Sequence, residues 1–519
     1  MKFVFACGCN IDKLDFSNIP LDCPATWDMI SNGLTKGVFQ LEKVLGRRWA
    51  KKIKPRSIEQ LSDLISLIRP GCLEAKYREK EAGTDKWYSI TETYEKIKNG
   101  QLQPEYIHPV LEKILAPTHG CLIYQEQIMS IATEFAGYSF LDADNLRKIV
   151  GKKLPDKMIK EKDKFIAKAK EKGHDEYTIT AIWNWIVGFA DYGFNKSHGV
   201  GYALAGYRSA YAKCHFPLAF FKAMLTNSES KQDELEEIKE LVNEAKLWNI
   251  KVTPPRLSLL NKDFEVVDGS IIFGLLHIKG VGATTFPSLK LIKDCKDYTS
   301  LMRKIFIEEV KVNSGAMEAL IKAGALDNIY PNRINLIKLY KLLKCLTDRE
   351  IKYIFELIDG GETFAKAIQS LLTSDVPNKG RVERIQSTIN DIKNEFAGNP
   401  LKMKIGYEKY YLGMALSGSE VDVYKNPHVD TTCKNFLKLR DKTKCTLGVI
   451  IEGIRKHKDK NGNIMAFLQV SDNTYMLDGI VIFAKKYNDF GWIIEEGKPI
   501  CMSGRKDGES FLVDKIEHL

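Results

Sequence analysis

A change of hydrophobic period near Thr446 constrains this chain more than any other feature. Before it, apolar residues recur every three or four positions; beyond it, they alternate. Segments 446–457 (TLGVIIEGIRKH), 465–472 (MAFLQVSD), 477–483 (LDGIVIF), 498–506 (KPICMSGRK) and 509–516 (ESFLVDKI) are five strand candidates, separated by turns such as Asn461-Gly462. Short strands must hide their edges, and closing the sheet does so. The spacing, with a polar stretch at 485–491 after the third strand, predicts a small Greek-key barrel of OB type. The expected fold is therefore multidomain: mainly α, followed by a small all-β OB-type barrel.

The helical part is long, because 519 residues predict three or four domains in all. At 44% hydrophobic and 28% charged, the composition is that of packed cores. Subtracting 67 acidic from 77 basic residues leaves +10, which favours polyanions over acidic substrates as partners. Charge alone does not choose among DNA, RNA and a membrane surface. No apolar stretch approaches the roughly 20 residues of a membrane span, and the most apolar piece, 216–225, contains Pro217 and Lys222. The apolar run at 3–7 is shorter than the ~7–15 residues of an export signal. Eleven cysteines without a C-x-x-C pair read as thiols of a reducing cytoplasm, and a cytoplasmic location is expected.

Helical periods mark residues 60–68, ended by Arg69-Pro70-Gly71, then 125–135, 144–150, 175–189, 202–215 and 231–247. One large helical domain is expected up to Pro254-Pro255. Residues 261–278 contain strand-like pieces and lead into Lys279-Gly280-Val281-Gly282. Helical patterns return at 299–326 and over 332–411, with breaks at Gly360-Gly361 and 375–380.

The richest segment for chemistry is 142–215. Arg147, Lys148, Lys152 and Lys153 span two turns and the end of a helix, a spacing suited to several phosphate oxygens. The alternative is a solvated basic face closing a helix C-terminus, which composition alone favours. Asn195-Lys196-Ser197-His198, four donor-rich residues beside an aromatic stretch, shift the balance toward a site. Asp142-x-Asp144 has the form of a two-metal pair, but a cap on a helix beginning at Ala143 or Asn145 explains it better. His119-Gly120-Cys121 is a weak nucleophile signal, and Glu126 reads as a network residue. Lys279, Gly280 and Gly282 form a tight turn that can offer N–H groups to a DNA phosphate, and Lys322 with Gly324 marks a second. Two unrelated turns are the alternative. In the barrel, Arg455, Lys456 and Lys458 make the first hairpin basic, with Phe467, Phe483, Tyr487 and Trp492 as candidate stacking platforms for single strands.

Taken in order from about Ile19 onward, these segments resemble the bacterial replicative DNA polymerase III alpha subunits, the family C polymerases. The resemblance rests on Ile19-Pro20-Leu21-Asp22, residues 37–42 (GVFQLE), Arg69-Pro70-Gly71, residues 124–127 (YQEQ) and Asp144-x-Leu146-Arg147 with Gly151-Lys152-Lys153. It continues through residues 192–198 (YGFNKSH), Tyr202-Ala203, Ala212-Lys213-x-His215-x-Pro217, residues 278–282 (IKGVG), residues 324–327 (GALD) and the YLG-x-x-LSG run at 411–418. It implies an N-terminal segment at 1–18, fingers at 19–256, tandem helix-hairpin-helix motifs at 257–335, a connecting region at 336–435 and the OB domain at 440–519. Arg147, Lys152, Lys153, Asn195, Lys196 and His198 would then face the incoming dNTP and template, and Gly280 and Gly282 the duplex. The family also carries a sliding-clamp peptide, for which Gln369-Ser370-Leu371-Leu372 is a poor match.

Family C catalysis uses Mg2+ on three palm aspartates that precede the fingers. Lys2-Phe3-Val4-Phe5 is similar to the last palm motif, but valine stands in the aspartate's place and the spacing to Ile19 is too short, so the likeness is chance. The expectation is a split polymerase, viral among the options for a divided gene. Its palm would come from another polypeptide, this chain would bind no metal, and the isolated chain would be inactive. The rival is a non-catalytic nucleic-acid-binding protein built from the same modules.

Overall fold

The computed structural model describes residues 18–80, 86–152, 155–189, 193–308, 310–424 and 428–519. They form two compact units, one up to Pro217 and one from Leu218 onward.

The N-terminal unit is helical. Its principal helices are α1 (Ile58–Leu67), α2 (Ile90–Lys98), α3 (Gln125–Glu134), α4 (Phe140–Gly151), α5 (Pro155–Glu171), α6 (Glu176–Gly188) and α7 (Lys196–His215). Ile128, Phe135, Leu146, Phe165, Ile182 and Trp183 interdigitate in the core that joins α3 to α6. Helix α7 packs on α1, and its small residues Gly199, Ala203, Gly206 and Ala210 are all buried, Gly199 against Ser62 and Ser66 of α1. A Cβ at Gly199 would stand 2.6 Å from Ser62 Oγ, so glycine is what permits this approach. Lys213 on α7 is fully buried, its ammonium donating to the carbonyls of Leu34 and Lys36 at 2.9 Å each.

Two helices begin earlier than their apolar periods predict. Helix α4 starts at Phe140, and Ser139, not Asp142 or Asp144, is its cap, accepting the Asp142 N–H at 3.1 Å. Phe140 and Leu141 are exposed, so the first turn adds nothing to the apolar period. Helix α7 starts at Lys196 rather than Tyr202, and Asn195 caps it.

In the C-terminal unit the apolar helix Pro217–Thr226 is followed by α8 (Glu234–Leu247), capped by Asp233. A small sheet follows, of β1 (Val252–Thr253), β2 (Glu265–Val267) and β3 (Ser270–Ile272), with β3 in the middle. The 279–282 turn lies between two single 3-10 turns, Leu275–His277 and Ala283–Thr285, and the second runs into α9 (Phe286–Ile292). The 299–326 pattern divides into α10 (Tyr298–Phe306) and α11 (Ser314–Ala323). The polar region is α12 (Arg333–Lys344), α13 (Asp348–Asp359), α14 (Phe364–Thr373), α15 (Lys379–Glu395) and α16 (Pro400–Leu412).

The five strand candidates fold as expected: β4 (Lys444–Lys458), β5 (Ile464–Ser471), β6 (Met476–Ile482), β7 (Pro499–Asp507) and β8 (Ser510–His518) close a barrel in the order β8-β6-β5-β4-β7. The β6–β8 pairing is parallel and the others antiparallel. Leu447, Val449 and Ile451 alternate into the interior with Leu468, Ile480, Met502 and Phe511. The polar stretch after the third strand is α17 (Ala484–Phe490). Among the described residues, no helix is long and apolar enough to cross a membrane.

Candidate nucleotide and nucleic-acid interface

In the N-terminal unit the starts of α3 and α7 are joined backbone to backbone. The Phe194 N–H donates to Ile123 O at 3.0 Å, and the Gln125 N–H to Phe194 O at 2.8 Å. Both Glu126 carboxylate oxygens then accept the Lys196 N–H, at 3.0 and 3.1 Å. Asn195 Oδ1 accepts the His198 N–H at 3.0 Å and the Ser197 hydroxyl at 2.6 Å. A carboxylate and a cap at the positive end of a 20-residue helix are both favourable. They also occupy backbone donors there, which leaves an arriving anion chiefly to the exposed side chains of Lys196 and His198. Glu126 thus acts as the network residue it was expected to be.

Around these donors stand aromatic rings and further cations. Lys196 Nζ lies 5.8 Å from the centre of the Tyr124 ring, and the Arg69 guanidinium 3.8 Å from that of Phe194. Phe194, His198 and Tyr202 follow one another at helical spacing, their ring centres 5.6 and 4.0 Å apart, and Phe39 meets Tyr202 at 5.4 Å. On the other side, Gln125 bridges to α4. Its Oε1 accepts from Arg147 Nη1 at 3.2 Å, and its Nε2 donates to Gly193 O at 3.4 Å. Arg147, Asn195, Lys196 and His198 are therefore gathered about the start of α3. Lys152 is exposed at the C-terminal end of α4; Lys153 lies outside the described residues.

Arg147 is already partnered, since its Nε and Nη2 donate to Asp144 Oδ1 at 2.9 and 2.8 Å. Lys148 reaches the second oxygen at 2.7 Å, and these cations hold the Asp144 carboxyl below its usual range. Asp142 is likewise paired, with Lys164 at 2.5 Å. Neither aspartate is left as half of a two-metal pair. Cys121 is fully buried, which pushes its thiol up and away from nucleophilic chemistry.

Sequence reasoning missed Asp63. It is buried beneath this surface and held by two tyrosine hydroxyls, those of Tyr94 and Tyr124. A signal was present: Asp63 is the only ionisable residue between Leu61 and Ile68, the stretch of α1 that lacks any solvated face.

In the C-terminal unit Lys279, Gly280 and Gly282 are exposed, and Gly280 takes the left-handed φ of +92° that the turn requires. Lys279 Nζ stands 4.2 Å from the Tyr410 ring centre. The second turn differs. Gly324 is buried at φ +90°, and a Cβ there would come 2.1 Å from Arg333 Nη2. Arg333 is itself buried and pairs with Asp327 and Glu408 at 2.7 and 2.8 Å. Lys322 is half-buried and meets Glu318 at 3.3 Å. These two positions serve packing, not an open phosphate cradle.

Arg455, Lys456 and Lys458 are exposed at the far end of β4. Arg455 lies over Phe467 at 5.0 Å and Lys456 over Tyr487 at 5.9 Å, while Trp492 is 74% exposed. The Gln369–Leu372 segment is not a free extended peptide: it sits inside α14 with Leu371 buried.

Residues 9–173 match the family model for the bacterial DNA polymerase III alpha subunit finger domain, and residues 249–336 that for the helix-hairpin-helix motif. The DNA polymerase III subunit alpha of Aquifex aeolicus is 31% identical over 503 residues, covering 95% of this chain and 38% of that protein. That of Thermus aquaticus is 31% identical over 502 residues, 94% and 38% respectively, and that of Bacillus subtilis 29% over 514 residues, 98% and 42%. The chain thus spans about two fifths of the length of these relatives. With its fingers match, its hairpin match and its closed C-terminal barrel, the chain corresponds to the fingers-to-barrel portion of the bacterial DNA polymerase III alpha subunits.

Proposed function

We propose that this chain holds the incoming dNTP and the primer-template in a family C DNA-directed DNA polymerase whose metal-holding palm is supplied by another polypeptide. The observation that carries the reading is the gathering of Arg147, Lys196 and His198 about the start of α3, with Arg69 and the Phe194–His198–Tyr202 rings on the same surface. Lys196 would meet the triphosphate as an exposed cation, while Arg147, clamped by Asp144 and Gln125, would orient rather than chase its ligand. In this reading residues 19–256 act as fingers. Residues 257–335 hold duplex, with Lys279, Gly280 and Gly282 at the backbone, 336–435 connect, and 440–519 present Arg455, Lys456 and Lys458 to single-stranded DNA.

Phosphoryl transfer of this class uses Mg2+ to neutralise developing charge. Asp142 and Asp144 do not fit that task, because Lys164, Arg147 and Lys148 already neutralise them. The chain's own part is to bind, orient and exclude water.

Primer extension tests the proposal, first with this chain alone and then with a palm-bearing family C polypeptide added. The expected result is no synthesis alone and synthesis on mixing. Extension by the chain alone would refute the separate palm; binding of DNA with no gain from any palm partner would make it a non-catalytic nucleic-acid-binding protein. In the active mixture, Lys196→Ala should lower kcat/KM for dNTP by about 10–100-fold, equivalent to ~1.4–2.7 kcal/mol, and change duplex affinity little.

A further inference from the structure

Asp63 takes no part in the surface contacts described above, yet it is built into their foundation. It is 3% exposed and sits on α1 where Gly199 lets α7 come close. Its Oδ1 accepts from the Tyr124 hydroxyl and its Oδ2 from the Tyr94 hydroxyl, each at 2.7 Å. The Tyr124 oxygen also meets Ser62 Oγ at 2.8 Å. Tyr124 is the residue whose ring lies 5.8 Å from Lys196 Nζ. Neutral donors compensate a buried carboxylate only in part. Burial accordingly pushes the Asp63 carboxyl up to about 6, against the lowering effect of the Tyr124 and Tyr94 hydrogen bonds and of the Lys196 charge. The ionisable groups facing it are Glu59 on α1, Tyr94 on α2, Cys121 and Tyr124 before α3, and Lys196 on α7. The cation among them is Lys196.

We infer that Asp63 is the buried counter-charge of Lys196: it positions that lysine through Tyr124 and, while ionised, weakens its hold on a triphosphate. The inference rests on reading Lys196 as a phosphate-holding residue. An anion approaching Lys196 also feels Asp63 through protein, where salt screens poorly. Removing that charge, by a proton or by substitution, strengthens the hold. By reciprocity, a bound triphosphate raises the proton affinity of Asp63.

The test is equilibrium titration of the full chain with dTTP, without metal and at constant ionic strength, at pH 8.0 and pH 5.5. Asp63→Asn should bind about fivefold tighter than the native chain at pH 8.0. The ratio should fall toward one at pH 5.5, where the native Asp63 is mostly protonated. Protonation of dTTP itself is common to both proteins and cancels in the ratio. On a Lys196→Ala background the gain from Asp63→Asn should shrink, which a merely structural role would not produce. Asp63→Ser, which keeps a hydroxyl for the tyrosines, should show the same gain if the asparagine variant fails to fold. Equal or looser binding by the folded neutral variants at pH 8.0 overturns the inference while the surface reading stands. If Lys196→Ala binds dTTP as tightly as the native chain, the surface reading fails and takes the inference with it.

Discussion

At the residue scale, the energetics turn on a few buried polar groups. Asp63 keeps a proton in the fold, up to about pH 6, that the unfolded chain gives up near 4. Between those values the native state binds more protons, so stability falls as pH rises, and above pH 6 the ionised carboxylate is a standing cost. Asp63→Asn should remove this slope and raise Tm at pH 8 more than at pH 4.5, as thermal unfolding followed by circular dichroism would report. Gly324 is the opposite case, a position where only the absence of a side chain works. Its left-handed φ of +90° opposes alanine, and so does the Arg333 guanidinium, 2.1 Å from where a Cβ would stand. Gly324→Ala should cost about 2–3 kcal/mol by strain and displacement of the Arg333–Glu408 pair. Gly280→Ala has φ +92° but would meet only Ala319 Cβ, at an ordinary 3.8 Å, and should cost less. Denaturant unfolding of the two variants, compared with the native chain, decides the ranking.

At the scale of elements, each candidate contact stands on a helix end or a strand end, where backbone groups need partners. Helix α7 begins where it does because Asn195 and Glu126 satisfy its first N–H groups, and that fixes Lys196 and His198 at its rim. The long strand β4 projects Arg455, Lys456 and Lys458 where the barrel core has ended, as its burial changes from interior to exposed along its length. Replacing all three with serine should reduce the salt dependence of single-strand binding by about 2 in slope, at ~0.7 per phosphate contact. The same substitutions should leave the barrel's Tm nearly unchanged, because none of the three contributes to its core. Filter binding across a salt series reads the first effect. An unchanged slope would assign single-strand contacts elsewhere.

At the scale of the whole molecule, the net charge of +10 resolves into separate groups: cations about the start of α3 in one unit, and those of the 279–282 turn and the β4 end in the other. Much of this was legible in the chain. Period-two alternation after Thr446 determined the barrel, since that pattern buries one face only as strands, and five short strands hide their edges by closing. The ordered motifs pointed to the bacterial DNA polymerase III alpha subunits, and sequence spacing nominated Arg147, Lys196 and His198, which the fold brings to the start of α3. The starts of α4 and α7 were not legible, because capping by Ser139 and Asn195 outweighs an apolar period that the first turns do not share. Nor was the different fate of the two glycine turns, since burial of Gly324 depends on Arg333 and Glu408, far along the chain. The sequence alone determined which residue types and periods were available, through local propensity and hydrophobic pattern. Asp144 with Arg147 is a helical i,i+3 pair that the sequence already offers, but only tertiary structure decided which distant polar groups meet: Arg147 with Gln125, and Asp63 with two tyrosines beneath Lys196. Beyond one helical turn, electrostatic partners are chosen by distance in space and by exclusion of water, and neither is a property of neighbours in sequence.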